Sequence, residues 1–224
     1  MAEKNVKNNA HQNEPALSKS EDFFLKNKKI IIGAVVAIIA IIALWVVIDM
    51  LVITPNRVKA QEGMAKGQTL FANDMMQQAI EGDSTGFAGF AKLADEYSGK
   101  NANLANLYTG LAYAQKGNWE EAVKYLEKFD DQGDQMVSPA AEGALGNAYA
   151  HLNKLDEAVK HLKNAAKRAD NNSLSPTFLI QAGEILESQG KKAEALELYK
   201  EVKEKYFQSM QYQTIDAYIE RASN

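Results

Sequence analysis

The sequence predicts an all-α protein: one N-terminal transmembrane helix followed by an α-solenoid of helical hairpins. Two observations carry this. Ile30 to Ile48 is a run of 19 residues whose only hydrogen-bonding side chain is the Trp45 indole. Further on, glycine, alanine and glutamate recur at intervals of 36 and 37 residues. Composition removes other classes. With no cysteine there are no disulfides, cysteine-containing zinc sites or thiol chemistry. Only 14 Gly and 4 Pro exclude collagen-like and low-complexity chains.

Residues 1–17 carry four Asn, one Gln and little apolar bulk, so they cannot bury enough surface to order themselves. They are expected to form a disordered tail, and His11 within it to be solvated. Ser18 with Glu21 fits a capping box, which starts a helix there and runs it through Phe23, Phe24 and Leu25. The juxtamembrane and transmembrane helix is thus expected over 18–53. At about 1.5 Å per residue, 19 to 24 helical residues span a hydrocarbon core of about 30 Å. A cleaved signal peptide would have a shorter apolar stretch ending at a small-residue site, and none follows here, so the segment reads as an uncleaved signal anchor.

Lys26, Lys28 and Lys29 precede the run, and the first basic residue after it is Arg57. The positive-inside rule then places the N-terminus in the cytoplasm and the rest of the chain across the membrane. Phe23, Phe24 and Trp45 suit the two interfaces. Asp49 is left with two roles, reaching headgroups or water, or pairing with a partner helix. Residues 54–224 hold 19 Lys plus Arg against 24 acids. Without a basic stripe in the sequence, an acidic domain of this kind argues against nucleic acid.

Repetition organises the remainder. Gly110, Gly146 and Gly183 are 36 and 37 residues apart, and Ala122, Ala158 and Ala195 keep the same intervals. So do Glu121, Glu157 and Glu194, while Ser138-Pro139 and Ser175-Pro176 lie 37 apart. Each period reads as two helices. Ser then Pro supplies an N-cap and a first helical residue with no N–H to satisfy. Glycine in the first helix and alanine in the second let the two cross closely, with Tyr113 and Tyr149 beside the contact. Gly117 and Gly190 are placed to close the first helix.

This pattern resembles the tetratricopeptide repeat (TPR), in copies 103–136, 139–172 and 176–209. The middle copy carries Glu142 where the family has a large aromatic, and Asp170 where it has a late proline. The third has Leu186 in place of the tyrosine. Residues 57–81 and 87–98 are expected to form a degenerate leading hairpin, ended by Gly99. Met210, Ile215, Tyr218 and Ile219 suit a capping helix over 210–222 that closes the last repeat. The solenoid thus covers 57–224.

No chemistry is legible. His151 and His161 fall on different helices of one pair without an acid at ligand spacing. Ser138 and Ser175 read as caps, and Asp130 to Asp134 as a solvated connector. No catalytic residue, metal, cofactor or small-molecule substrate is expected, and the chain is not expected to be an enzyme. A protein-binding groove is expected on the first helices of the pairs, from Leu104, Leu107 and Leu111 through Asn147 and His151 to Glu184 and Glu187. Its fifteen lining positions include no Lys or Arg, unlike receptors that grip carboxylate termini. Two readings of the leucines stay open: an exposed docking face, or a face filled by helix 57–81 or by the next repeat.

A short tail, Phe-Phe before one signal anchor, a degenerate hairpin and about three TPR pairs resemble the YfgM family in order and architecture. That resemblance implies a bacterial inner-membrane protein with a periplasmic solenoid. It implies association with the Sec translocon and with a membrane-anchored periplasmic chaperone of the prolyl-isomerase class (PpiD), docking that partner or newly exported chains. The alternatives are a TPR receptor facing the cytosol, or an adaptor of another membrane complex.

Overall fold

The computed structural model describes residues 16–224, and all regular structure in them is helical. The chain divides into two units, Met1–Pro55 and Asn56–Asn224. The expected tail lies outside the described residues but for Ala16 and Leu17.

In the first unit, α1 spans Ala16–Ile48 and passes into a π-helical stretch, Asp49–Ile53. The helix is already formed at Ala16, ahead of the expected start at Ser18. Apolar side chains from Ile30 to Ile53 are exposed, save Ile31, which is half-buried. This helix is long and apolar enough to cross a bilayer. The π-helical stretch begins at Asp49, whose carbonyl accepts the Thr54 N–H. Its carboxylate accepts the Thr54 hydroxyl at 3.3 Å, so the chain itself supplies one partner for this acid.

The second unit opens with α2 (Thr54–Ala72, from Asn56 onward), α3 (Met76–Glu81) and α4 (Phe90–Glu96). A single helix over 57–81 is therefore not formed. It stops at Asn73-Asp74, where Asp74 takes a left-handed φ of 61°. The Met75 N–H closes on the Leu70 carbonyl and the Asp74 N–H on that of Phe71. These are the two bonds of a Schellman cap, and aspartate tolerates its left-handed position. The same pair of bonds ends three later helices, with Gly117, Asn153 and Gly190 in the left-handed position.

Helix α4 is shorter than the expected 87–98. A loop, 82–89, interrupts the second helix of the leading hairpin. Asp83 organises it by accepting the N–H groups of Thr85 and Phe87 at 2.9 and 3.1 Å. Partial burial pushes the Asp83 carboxyl up, but the Phe87 N–H, the Thr85 hydroxyl and N–H, and Lys66 outweigh it and hold it at about 2. The loop buries Phe87 edge-on against Phe90, over Met64 and Leu93.

Three hairpins follow: α5 (Gly99–Gln115) with α6 (Trp119–Leu126), α7 (Val137–His151) with α8 (Leu155–Ala169), and α9 (Ser175–Ser188) with α10 (Lys192–Lys205). Gly110, Gly146 and Gly183 each face the residue at one equivalent position of the second helix, Leu126, Leu162 and Tyr199. Ala122, Ala158 and Ala195 are fully buried beside them. Ser138 and Ser175 do not act as the caps expected of them. Helix α7 already starts at Val137, and Asp134 accepts the N–H groups of Met136 and Ser138. Asn171 does the same before α9, accepting from Ser173 and Leu174 at 2.9 Å each. The connector 130–134 is thus a capping loop. Helix α11 (Ile215–Ser223) closes the array through Ile215, Tyr218, Ile219 and Ala222. Met210 belongs instead to a short 3₁₀ turn, Met210–Gln213, and is 87% exposed.

Candidate protein-binding surface

Helix α5 carries the three leucines, and its neighbours fill the face they form. Leu107 is 7% exposed, in a cluster with Ala122, Val123, Leu126, Ala141 and Leu145. Leu111 packs on the same cluster, from α6 and α7. Leu104 packs the other way, against Met64, Phe87, Phe90 and Leu93. The leucines are therefore packing residues joining the leading helices to the first repeats, not an open apolar patch. Tyr113 belongs to the same interior, stacked on Tyr125 with ring centroids 5.7 Å apart.

Asn147 and His151 lie one turn apart on α7, so they share a face. Asn147 is half-buried. His151 is exposed, but its ring lies flat on the Trp119 indole, centroids 3.7 Å apart. The stack ties the start of α6 to the end of α7. His161 does not join it. It stacks on Tyr149 and faces Glu142 at 3.1 Å. Among the described residues no group of His, Asp and Glu could hold a metal ion.

Glu142 shows what replaces the missing aromatic. Arg168 reaches Asp131 at 2.9 Å and Glu142 at 3.9 Å, so a polar clasp at the surface stands at the position where the family has a ring. Tyr149 donates to Glu127, which pushes the phenol up to about 12.

The acidic end divides into two kinds of residue. Glu184 is exposed and has no ion-pair partner among the described residues. Glu187 is taken up internally: Arg221 of α11 donates to it through Nε at 3.0 Å, and the Tyr199 hydroxyl donates at 2.7 Å. The Arg221 bonds, opposed by partial burial and helped by Tyr199, hold the Glu187 carboxyl below the ordinary range. Burial first, then the Glu187 contact, pushes the Tyr199 phenol up. Glu187 is therefore a clasp for the capping helix and not a free groove acid. Of the expected groove residues, half-buried Asn147, His151 stacked on Trp119 of α6, and Glu184 stay accessible, a neutral to acidic set.

Sequence reading missed the parts played by Trp119, Arg168 and Arg221. Asp134 and Asn171 were within reach, because they keep the 37-residue interval of the serines they replace as caps.

The matching family model is "T7SS, ESX-1 secretion system protein EccA1, N-terminal domain", over residues 67–217. The chain belongs to this family. Residues 67–217 cover the leading hairpin from the end of α2, all three repeats and the start of α11. No curated protein matches the chain. Among solved structures, two of nearly identical TPR-like repeats, from a Podosopora anserina protein assigned as a kinesin light chain, are similar in fold. Each has a TM-score of 0.56 and covers 75% of this chain. They are 17% and 16% identical and are themselves covered over 85% and 86% of their length. At that identity the likeness concerns the fold alone: a TPR-like solenoid. The family match does not extend to the YfgM resemblance.

Proposed function

We propose that this protein is a membrane-anchored TPR scaffold that binds proteins on the periplasmic side of a bacterial inner membrane. In this reading it is an ancillary subunit of the Sec translocon, linking it to a PpiD-like chaperone and aiding exported chains. One observation carries the scaffold part. A helix apolar enough to span a bilayer precedes a TPR-like repeat solenoid, a fold that presents extended helix faces to protein partners. The family's name, that of a secretion-system protein, favours a partner in export machinery. Lys26, Lys28 and Lys29 ahead of the apolar run support the orientation, and Trp45 suits an interface. The division into a cytoplasmic tail (1–17), an anchor (18–53) and a solenoid (57–224) belongs to the same proposal. Asn147 and Glu184 are the groove residues we assign to partner contact. Neutral and acidic groups there suit the amides and basic side chains of a bound segment.

Topology and partner can be tested together, since the chain has no native thiol. Ala222 is a poor reporter position because it is 6% exposed. Asn224→Cys is exposed and should label with an impermeant maleimide in spheroplasts, while Ala2→Cys should not. A photo-cross-linker at Glu184 should then capture translocon or chaperone subunits. Labelling in the reverse pattern would overturn the periplasmic assignment and favour a cytosol-facing adaptor.

A further inference from the structure

The second helices carry a feature that the groove on the first helices does not explain. Helix α8 presents Lys160, Lys163 and Lys167 at intervals of three and four residues, along one exposed side. None has an ion-pair partner among the described residues, although Arg168 beside them is bound to Asp131. Lys167 sits in the last turn, where a helix C-terminus favours a cation. Lys160 and Lys163 lie one to two turns earlier, beyond that effect. They stand out in a region whose net charge is −5.

Beside this stripe runs a cleft of about 550 Å³ between α8 and α10. Lys163 and Lys167 form one rim; Glu201 and Lys205, paired with each other at 2.7 Å, form the other. The floor is apolar, made by Ala166, Leu179, Leu198 and Tyr206. The remaining charged group at the cleft is Asp170, at the end of α8, 3.5 Å from the Tyr206 hydroxyl. A recess of this size over an apolar floor takes a side chain of a ligand, and uncompensated cations on one rim select its charge.

We propose that this cleft docks an acidic peptide segment carrying an apolar anchor residue. The anchor would enter over Leu179 and Leu198 while neighbouring carboxylates lie along Lys160, Lys163 and Lys167. A linear stripe beside a recess suits a strand or helix of a protein. A flat anionic bilayer surface could meet the lysines but would leave the recess between them and α10 unfilled. The inference rests on the reading that the solenoid binds proteins, but on neither its topology nor the translocon assignment.

The test uses the purified full chain in detergent. The probe is a fluorescein-labelled dodecapeptide of glutamate interrupted by one phenylalanine and one leucine, followed by anisotropy. The peptide should bind, with affinity falling as salt is raised. Lys163→Glu with Lys167→Glu should weaken binding at least tenfold, whereas Lys163→Arg with Lys167→Arg should retain it. Replacing the phenylalanine and leucine of the probe by glycine should also abolish binding. A benzophenone attached to Asn164→Cys, on the cleft wall, should cross-link to the peptide. The charge-reversed residues are exposed, and unchanged circular dichroism would show the fold intact; if it is not, Lys163→Gln with Lys167→Gln takes its place. Unchanged affinity in the folded variants would overturn the proposal. So would equal loss on reversing Lys192 and Lys200, or displacement by anionic lipid micelles with no dependence on the apolar residues. Failure here would leave the cross-linking from Glu184 untouched, so the two readings fall separately.

Discussion

Replacing Gly183 by alanine sets two effects of opposite sign against each other. In an open helix the change gains about 1 kcal/mol of helix propensity. Here the new Cβ would lie 2.3 Å from Cε1 and 2.6 Å from Cζ of Tyr199. That ring has no easy retreat. It is 0% exposed, its hydroxyl is held by Glu187, and Tyr218 lies against it at 5.3 Å. Moving the ring would disturb the clasp from Arg221 as well, so the cost belongs in the upper part of the roughly 1–3 kcal/mol range for overpacking. The net expectation is a loss of about 1–2 kcal/mol, with Tm falling about 2–4 °C per kcal/mol for a chain of this size. Thermal unfolding of the full chain in detergent, followed by far-ultraviolet circular dichroism, measures it. In a Tyr199→Leu background the ring is gone, and the same alanine should cost less. Gly146→Ala should be destabilising too, since its Cβ would meet Leu162 Cγ at 2.9 Å and the backbone of Leu162 and Ala158 at 3.1 and 3.2 Å. A Gly183→Ala protein as stable as the parent, or more so, would refute the idea that close helix crossing demands glycine there.

Two other outcomes follow from named contacts. Asp134→Ala should cost about 0.5–2 kcal/mol, as for loss of an N-cap. Bonds from Ser138 and Met136, opposed by partial burial and helped by the Val137 N–H, hold the Asp134 carboxyl at about 2, below its ordinary value of 3.8. A folded-state value lower than the unfolded one makes its contribution complete above about pH 4 and lost as pH falls towards 2. Acid titration of stability should therefore flatten in that window in the variant; an unchanged profile would show that Asp134 is not the cap. Leu107→Gln should destabilise the solenoid by about 2–4 kcal/mol, through lost apolar burial and an amide placed in the core. A folded Leu107→Gln protein of parental stability would show that this face is open after all.

Local and periodic features were legible in the sequence because their physics is local. Nineteen residues without a polar group other than an indole can only be a buried or membrane helix, and hydropathy alone decides that much. The 36- and 37-residue intervals of Gly110, Gly146 and Gly183 mark a close crossing repeated once per hairpin, because no larger residue fits there. Gly117 and Gly190 were readable as left-handed caps. The break at Asn73-Asp74 was harder to see, since aspartate adopts the left-handed conformation only when the chain around it closes the turn.

Tertiary structure decided which faces are surface. Whether Leu104, Leu107 and Leu111 bind a partner or fill the core depends on how α2, α4, α6 and α7 come to rest around α5. Sequence periodicity gives the stripe but not its occupant. Glu187 reads in sequence as a free acid, and becomes a clasp only because α11 brings Arg221 back to it across 34 residues. Glu142 reads as a flaw in its repeat, and the fold supplies His161 and Arg168 to meet it. No basic stripe is seen in the sequence; the helical register of α8 lines up Lys160, Lys163 and Lys167, and the packing of α10 beside α8 sets a cleft with an apolar floor against them. In each case the deciding interaction joins residues of different helices, and its energy exists only once those helices are packed.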